Sequence, residues 1–220
     1  MGKPSFIIIG SERCGTTSLY HNICQHPKVY KAYTKEIEFF NRYYDRGESW
    51  YHMQFDNKRP GMITGEATPE YFWNPAAALR MWYYNQNLKL ILITRHPEEA
   101  IKSRYNQQVV RNCENLSFQQ ALAFEKVRIA GDIERALTLP YCYYPALYAE
   151  HAYKDRYDFD KHIHYWKKFD LLVVSLEDLK AKPNEVMNSV FLHIRLDYYQ
   201  GRWLHMNKGV DPANDDLCAA

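Results

Sequence analysis

At 220 residues the chain is long enough for one α/β domain with a full core. A formal net charge of +2, with 25% charged residues, argues against a dedicated nucleic-acid binder, which would be far more basic. Aromatic residues reach 15%, including 19 tyrosines, and packing is the expected role for most of them.

Phe6 to Ile9 is a short apolar run rich in β-branched residues, the pattern of a buried strand in a parallel sheet. Gly10 ends it, a tight loop runs from Ser11 to Gly15, and a helical pattern then continues to about His26, where Pro27 stops it. Strand, glycine-bounded loop and helix form a geometry that cradles phosphate, because backbone N–H groups and the helix dipole both favour an anion there. Gly10 and Gly15 have the spacing of a nucleotide P-loop, yet Thr16 stands where that motif has lysine, and Arg13 is the loop's cation. The loop therefore suits a phosphate but not the usual triphosphate with Mg²⁺.

Val29–Tyr30 reads as a short edge strand beside a basic turn of Lys28, Lys31 and Lys35. Trp50 and Tyr51 anchor a helix, and Met62 to Glu66 reads as a second buried strand. Asn74-Pro75 starts a helix from Ala76 to about Asn85, with asparagine as cap and proline in the first turn. Leu88 to Thr94 is the clearest later strand; it ends at Arg95-His96-Pro97, and a helix follows to about Asn112. An arginine at a strand's carboxyl end offers a planar fork of donors to a phosphate, and Ser103, two turns into the next helix, adds a hydroxyl. Leu116 to Ala130 is helical with Ser117 as cap. Residues 131–157 are tyrosine-rich and read either as an acceptor-side flap or as packed surface aromatics. Phe159, His162, Ile163 and Trp166 fall at helical spacing; His162 and His164 share no helix face, so no metal site is expected. Asp170 to Ser175 is another buried strand, followed after Lys182-Pro183 by an amphipathic helix to about Ile194. Strands alternating with helices predict a three-layer α/β fold, with a mainly parallel sheet of four to five strands and ligands at the strands' carboxyl ends.

Three stretches carry a resemblance. Arg13-Cys14-Gly15-Thr16-Thr17-Ser18 after its strand resembles the 5′-phosphosulfate loop of sulfotransferases that use 3′-phosphoadenosine 5′-phosphosulfate, PAPS. Lys35-Glu36-Ile37-Glu38-Phe39-Phe40-Asn41 resembles the Lys-Glu-x-x-Phe-Phe-Asp/Asn segment of heparan sulfate N- and O-sulfotransferases, which carries the catalytic glutamate. Arg95, Pro97, Ser103 and Tyr105 match that family's Arg-x-Pro-x5-Ser-x-Tyr motif for the 3′-phosphate. Between them, Glu66-Ala67-Thr68-Pro69-Glu70-Tyr71 is similar to Glu-Lys-Thr/Ser-x-x-Tyr, with Ala67 in place of a lysine that often reaches acceptor or sulfate. Near the end, Leu204 to Val210 resembles Phe-x-x-x-Lys-Gly-Phe at Lys208 and Gly209.

The resemblance implies a P-loop-like sulfotransferase fold in one domain over residues 1–220. It implies PAPS as cofactor, held by Arg13, Cys14, Gly15, Thr16, Thr17 and Ser18 at one end and by Arg95, Ser103, Lys208 and Gly209 at the other. Glu36 is the implied base, because an acceptor hydroxyl is a poor nucleophile until a carboxylate takes its proton; Glu38 competes but should face the other way. Arg13 is the implied charge stabiliser. The acceptor would be a small molecule or, first choice, a glycan bearing a hydroxyl or amine, without a metal, nucleic acid or membrane span; its identity and the oligomeric state stay open. The N-terminus lacks a signal-peptide core, no transmembrane run exists, and the five scattered cysteines suit a reducing compartment, so a cytoplasmic location is expected. Two other functions remain in play: a PAPS-binding protein without turnover, and a P-loop kinase, which Mg²⁺ dependence would reveal.

Overall fold

β1 (Phe6–Gly10) is the centre of the molecule, buried along its whole length. The structure, a computed structural model, describes residues 2–56, 60–138, 144–204 and 206. After β1 come α1 (Thr16–Ile23), β2 (Val29–Lys31), α2 (Gly47–Met53), β3 (Ile63–Ala67), α3 (Pro75–Tyr84), β4 (Lys89–Thr94) and α4 (Pro97–Val110). Then follow α5 (Phe118–Arg128), α6 (Asp132–Thr138), α7 (Ala146–His151), α8 (Phe159–Ile163), β5 (Asp170–Ser175), α9 (Leu176–Ala181) and α10 (Pro183–His193). The strands form one sheet in the order β2-β3-β1-β4-β5, and every pair is parallel.

Side chains alternate across a strand, and β1 shows the consequence. Phe6 and Ile8 pack on one face with Leu19, Ile23, Met187 and Phe191 from α1 and α10. Ile7 and Ile9 pack on the other with Phe39, Phe40, Tyr51 and Trp166. Both faces are covered, which is why β1 and β4 read as nearly continuous apolar runs. Each fully buried isoleucine contributes about 1.5–3 kcal/mol.

Helix entries follow local chemistry. The Asn74 side chain accepts from Ala76 N at 3.0 Å and Ala77 N at 3.3 Å, with Pro75 behind it. Ser117 and Gln120 form a reciprocal capping box at the start of α5. Several boundaries differ from expectation. α1 stops at Ile23, ahead of Pro27, and α4 at Val110. Residues 131–157, which carried no readable pattern, hold α6, α7 and a short 3₁₀ turn. Among the described residues no helix is long and apolar enough to cross a membrane.

The chain's last described stretch lies along α1. Arg202 exchanges hydrogen bonds with Gln25, Leu204 with Asn22 and Met206 with Ser18. Alternate residues of an extended segment thus meet one face of a helix, running toward its N-terminus.

Candidate active site

The loop between β1 and α1 is shaped by two left-handed residues, Arg13 at φ 59° and Gly15 at φ 93°. A side chain at Gly15 would be strained by that φ and would bring a Cβ within 2.7 Å of Leu176 Cδ1. No side chain caps α1 and no acidic residue sits in its first turn, so an anion is the natural partner for its N–H groups.

The two cation-bearing motifs meet here. Arg13 Nε donates to Ser103 Oγ at 3.0 Å, across 90 residues of chain. Arg95 Nη1 donates to the Arg13 carbonyl at 3.3 Å, while its Nη2 pairs with Glu99 at 2.8 Å; Arg95 in turn holds the Glu99 carboxyl below its usual range. Thr16 is buried and Thr17 half-buried at the helix start. Cys14 is buried against Ala100 and Tyr157, and burial pushes its thiol pKa upward, so it is a neutral group. The Ser18 hydroxyl is turned to the backbone of Met206 rather than toward the loop. Lys208 and Gly209 lie outside the described residues. Beside the loop opens a cavity of about 330 Å³, lined among others by Ser11, Cys14, Arg95, Phe72, Tyr157 and Phe159.

Glu36 follows β2, the edge strand two places from β1 in the parallel sheet. Its side chain is 44% exposed and forms an ion pair with Lys35. Glu38, at φ 55°, pairs instead with Arg42 at 2.9 Å. Burial raises the Glu38 pKa against the pull of Arg42. The two carboxylates therefore serve different partners, and the segment that carries them is neither strand nor helix. Beneath them Glu66 is fully buried, and burial lifts its pKa to about 7 against the bonds it accepts from Thr68, Tyr51 and Tyr71.

Some site residues escaped the sequence reading. Glu12 is clamped by Arg104, at 2.8 Å, and by Arg156. Burial opposes its ionisation, but these arginines keep its pKa below the usual carboxylate range. Glu70 accepts from Tyr144 at 2.5 Å and from Asn41 at 3.1 Å, and burial lifts its pKa to about 7. Nothing local marks these residues. Glu12 gains its partners from α4 and from the turn at 155–157, far along the chain.

The family profile described as the sulfotransferase domain matches residues 3–202. The chain belongs to the sulfotransferase family. Heparan sulfate glucosamine 3-O-sulfotransferase 6 of Mus musculus is 32% identical over 180 residues, 82% of this chain and 48% of its own length. The first curated relatives are spanned only in part, between 22% and 48% of their length. Among solved structures, a sulfotransferase from Alicyclobacillus acidocaldarius superposes with a TM-score of 0.75 at 24% identity, over 97% of this chain and 88% of its own. Mouse sulfotransferase SULT7A1 complexed with PAP gives 0.54 at 14% identity, over 90% of this chain and 60% of its own. These superpositions bear out the parallel α/β fold expected from the strand and helix pattern.

Proposed function

We propose that this protein transfers a sulfuryl group from PAPS to a hydroxyl or amine of a glycan, with Glu36 as general base. The observation that supports it most is the contact between Arg13 and Ser103, which joins a loop shaped for a 5′-phosphosulfate to a motif shaped for a 3′-phosphate. The residues fit such a nucleotide: an uncapped helix start, two arginines within one carbonyl's reach, and a glycine where a Cβ would collide. PAPS supplies an activated sulfuryl group. Arg13 and the Gly15, Thr16 and Thr17 amides neutralise charge growing on the leaving phosphate oxygen. Arg95, Ser103, Lys208 and Gly209 hold the 3′-phosphate end, with Cys14 packed beneath the loop and Ser18 fastening α1 to Met206. Glu36 accepts the acceptor's proton as its oxygen or nitrogen bonds to sulfur, and later releases it to solvent. A glycan acceptor rests on the similarity to the 3-O-sulfotransferase. A cytoplasmic location is part of the proposal, and the free thiols of Cys14, Cys24 and Cys113 fit a reducing compartment.

The test is calorimetric titration with 3′-phosphoadenosine 5′-phosphate, PAP, without metal and with ATP as control, on wild type and Arg95→Ala. Micromolar binding that prefers PAP and weakens at least ~10-fold in the variant is expected, from loss of charged hydrogen bonds to phosphate. Equal binding of ATP that needs Mg²⁺ would replace this reading with a P-loop kinase. PAP binding without transfer to any glycan would leave a nucleotide-binding protein.

A further inference from the structure

In the sheet Glu66 stands opposite Ile7 and shares its face, while Ala67 turns to the other. Glu66 is 0% exposed, and its four partners are uncharged donors. Tyr51 OH reaches Oε1 at 2.6 Å and Tyr71 OH at 3.2 Å. Thr68 Oγ1 reaches Oε2 at 2.6 Å and Ile37 N at 3.4 Å.

Two of these hydroxyls are also acceptors. Thr68 Oγ1 takes the Glu38 N–H at 3.3 Å, and Tyr71 OH takes the Phe40 N–H at 3.3 Å. A backbone N–H can only donate, so each hydroxyl passes its own proton onward, and both lead to Glu66. Three backbone N–H groups of the segment after Glu36 therefore converge on one carboxylate, one directly and two through a hydroxyl. On the other side of Glu36, Ala67 N donates to the Lys35 carbonyl at 3.0 Å. Glu36 is thus bracketed by main-chain ties to the end of β3. Glu38 sits in the left-handed region, a conformation a non-glycine residue keeps only when its surroundings impose it.

We propose that Glu66 is a positioning residue for sulfuryl transfer, the buried terminal acceptor that suspends the Glu36-bearing segment from β3. This rests on the reading of Glu36 as base. A carboxylate is required because every arriving group is a donor; an amide would present its own N–H₂ to one of those donors.

The experiment compares wild type, Glu66→Gln, Thr68→Val and Glu36→Gln at about pH 8. Three quantities are read: amide hydrogen exchange at residues 37–40, PAP affinity, and sulfate transfer from PAPS to N-sulfated heparosan. Glu66→Gln is expected to lose at least ~10-fold of the protection at Ile37, Glu38 and Phe40. Its PAP affinity should stay within about twofold of wild type, and kcat should fall about 10- to 100-fold with little change in KM for PAPS. Thr68→Val, which keeps the side chain's shape, should expose the Glu38 amide and spare that of Phe40. Glu36→Gln should abolish transfer yet leave the amides protected. Unchanged protection in a PAP-binding Glu66→Gln protein overturns the inference, and so does lost protection with wild-type kcat. Wild-type transfer by Glu36→Gln would overturn the base assignment instead, so the two readings fail separately.

Discussion

Glu66 is an ionisable group without a counter-charge among its hydrogen-bond partners. Its pKa stands at about 7 in the folded protein, against 4.5 as its ordinary value. A raised carboxyl pKa means that the folded state binds more protons between those two values. The stabilisation from Glu66 is thus fully present below about pH 4.5 and is lost as pH rises through about 7. Tyr51, Tyr71 and Thr68 and the Ile37 amide face it, and all four stay neutral across that range. Urea unfolding of wild type and Glu66→Gln between about pH 5 and 8 should show the wild type losing up to about 3 kcal/mol more than the variant. Parallel pH profiles for the two proteins would refute this account. Glu36, exposed beside Lys35, has none of this environment. The pattern that singles it out, Lys-Glu-x-x-Phe-Phe, is local and so was legible in the sequence. The surroundings of Glu66 were not, because its donors come from α2, from the segment after β2 and from the turn after β3.

At the scale of elements, the loop between β1 and α1 is shaped by what it docks on. Its own signals were local: an apolar strand, two glycines and a helix start. The docking is not local. Glu12 ties the loop to α4 through Arg104 and to the turn at 155–157 through Arg156, whose side chains are 4% and 1% exposed. Tyr157 OH adds a bond to the Glu12 carbonyl at 3.1 Å. Removing Glu12 would leave two buried guanidinium groups without their carboxylate, which costs about 3–5 kcal/mol. Glu12→Ala should therefore lose about that much unfolding free energy in urea and weaken PAP binding, since Arg13 follows directly. Glu99→Ala, an exposed control, should leave the urea midpoint of wild type unchanged. A Glu12→Ala loss below about 1 kcal/mol would show that the arginines find other partners.

For the whole molecule, the ties run nearly end to end. Glu12 meets Arg156 across 144 residues, and Asn22 meets Leu204 across 182. β1 pairs with strands on both sides and packs on both faces. We expect the chain to unfold as one unit: scanning calorimetry should show a single transition, with calorimetric and van't Hoff enthalpies in a ratio near one. Two resolved transitions would mean that the α4–α8 region is a separate unit. By itself the sequence determined what depends on near neighbours: five strand positions, the starts of α1, α3, α4, α5 and α10, the phosphate-shaped loop and the arginine at the end of β4. Runs of β-branched residues, capping side chains, prolines and glycines act within a few positions, so they can be read from a string of residues. Only the tertiary structure decided how charges are shared. Arg13 turned to Ser103, Arg95 to Glu99, Ser18 to Met206 and Glu12 to two arginines, while Glu66 gathered its three hydroxyls. A buried charge or donor must find a partner wherever the fold brings one near, and that partner is set by the packing of the layers rather than by distance along the chain.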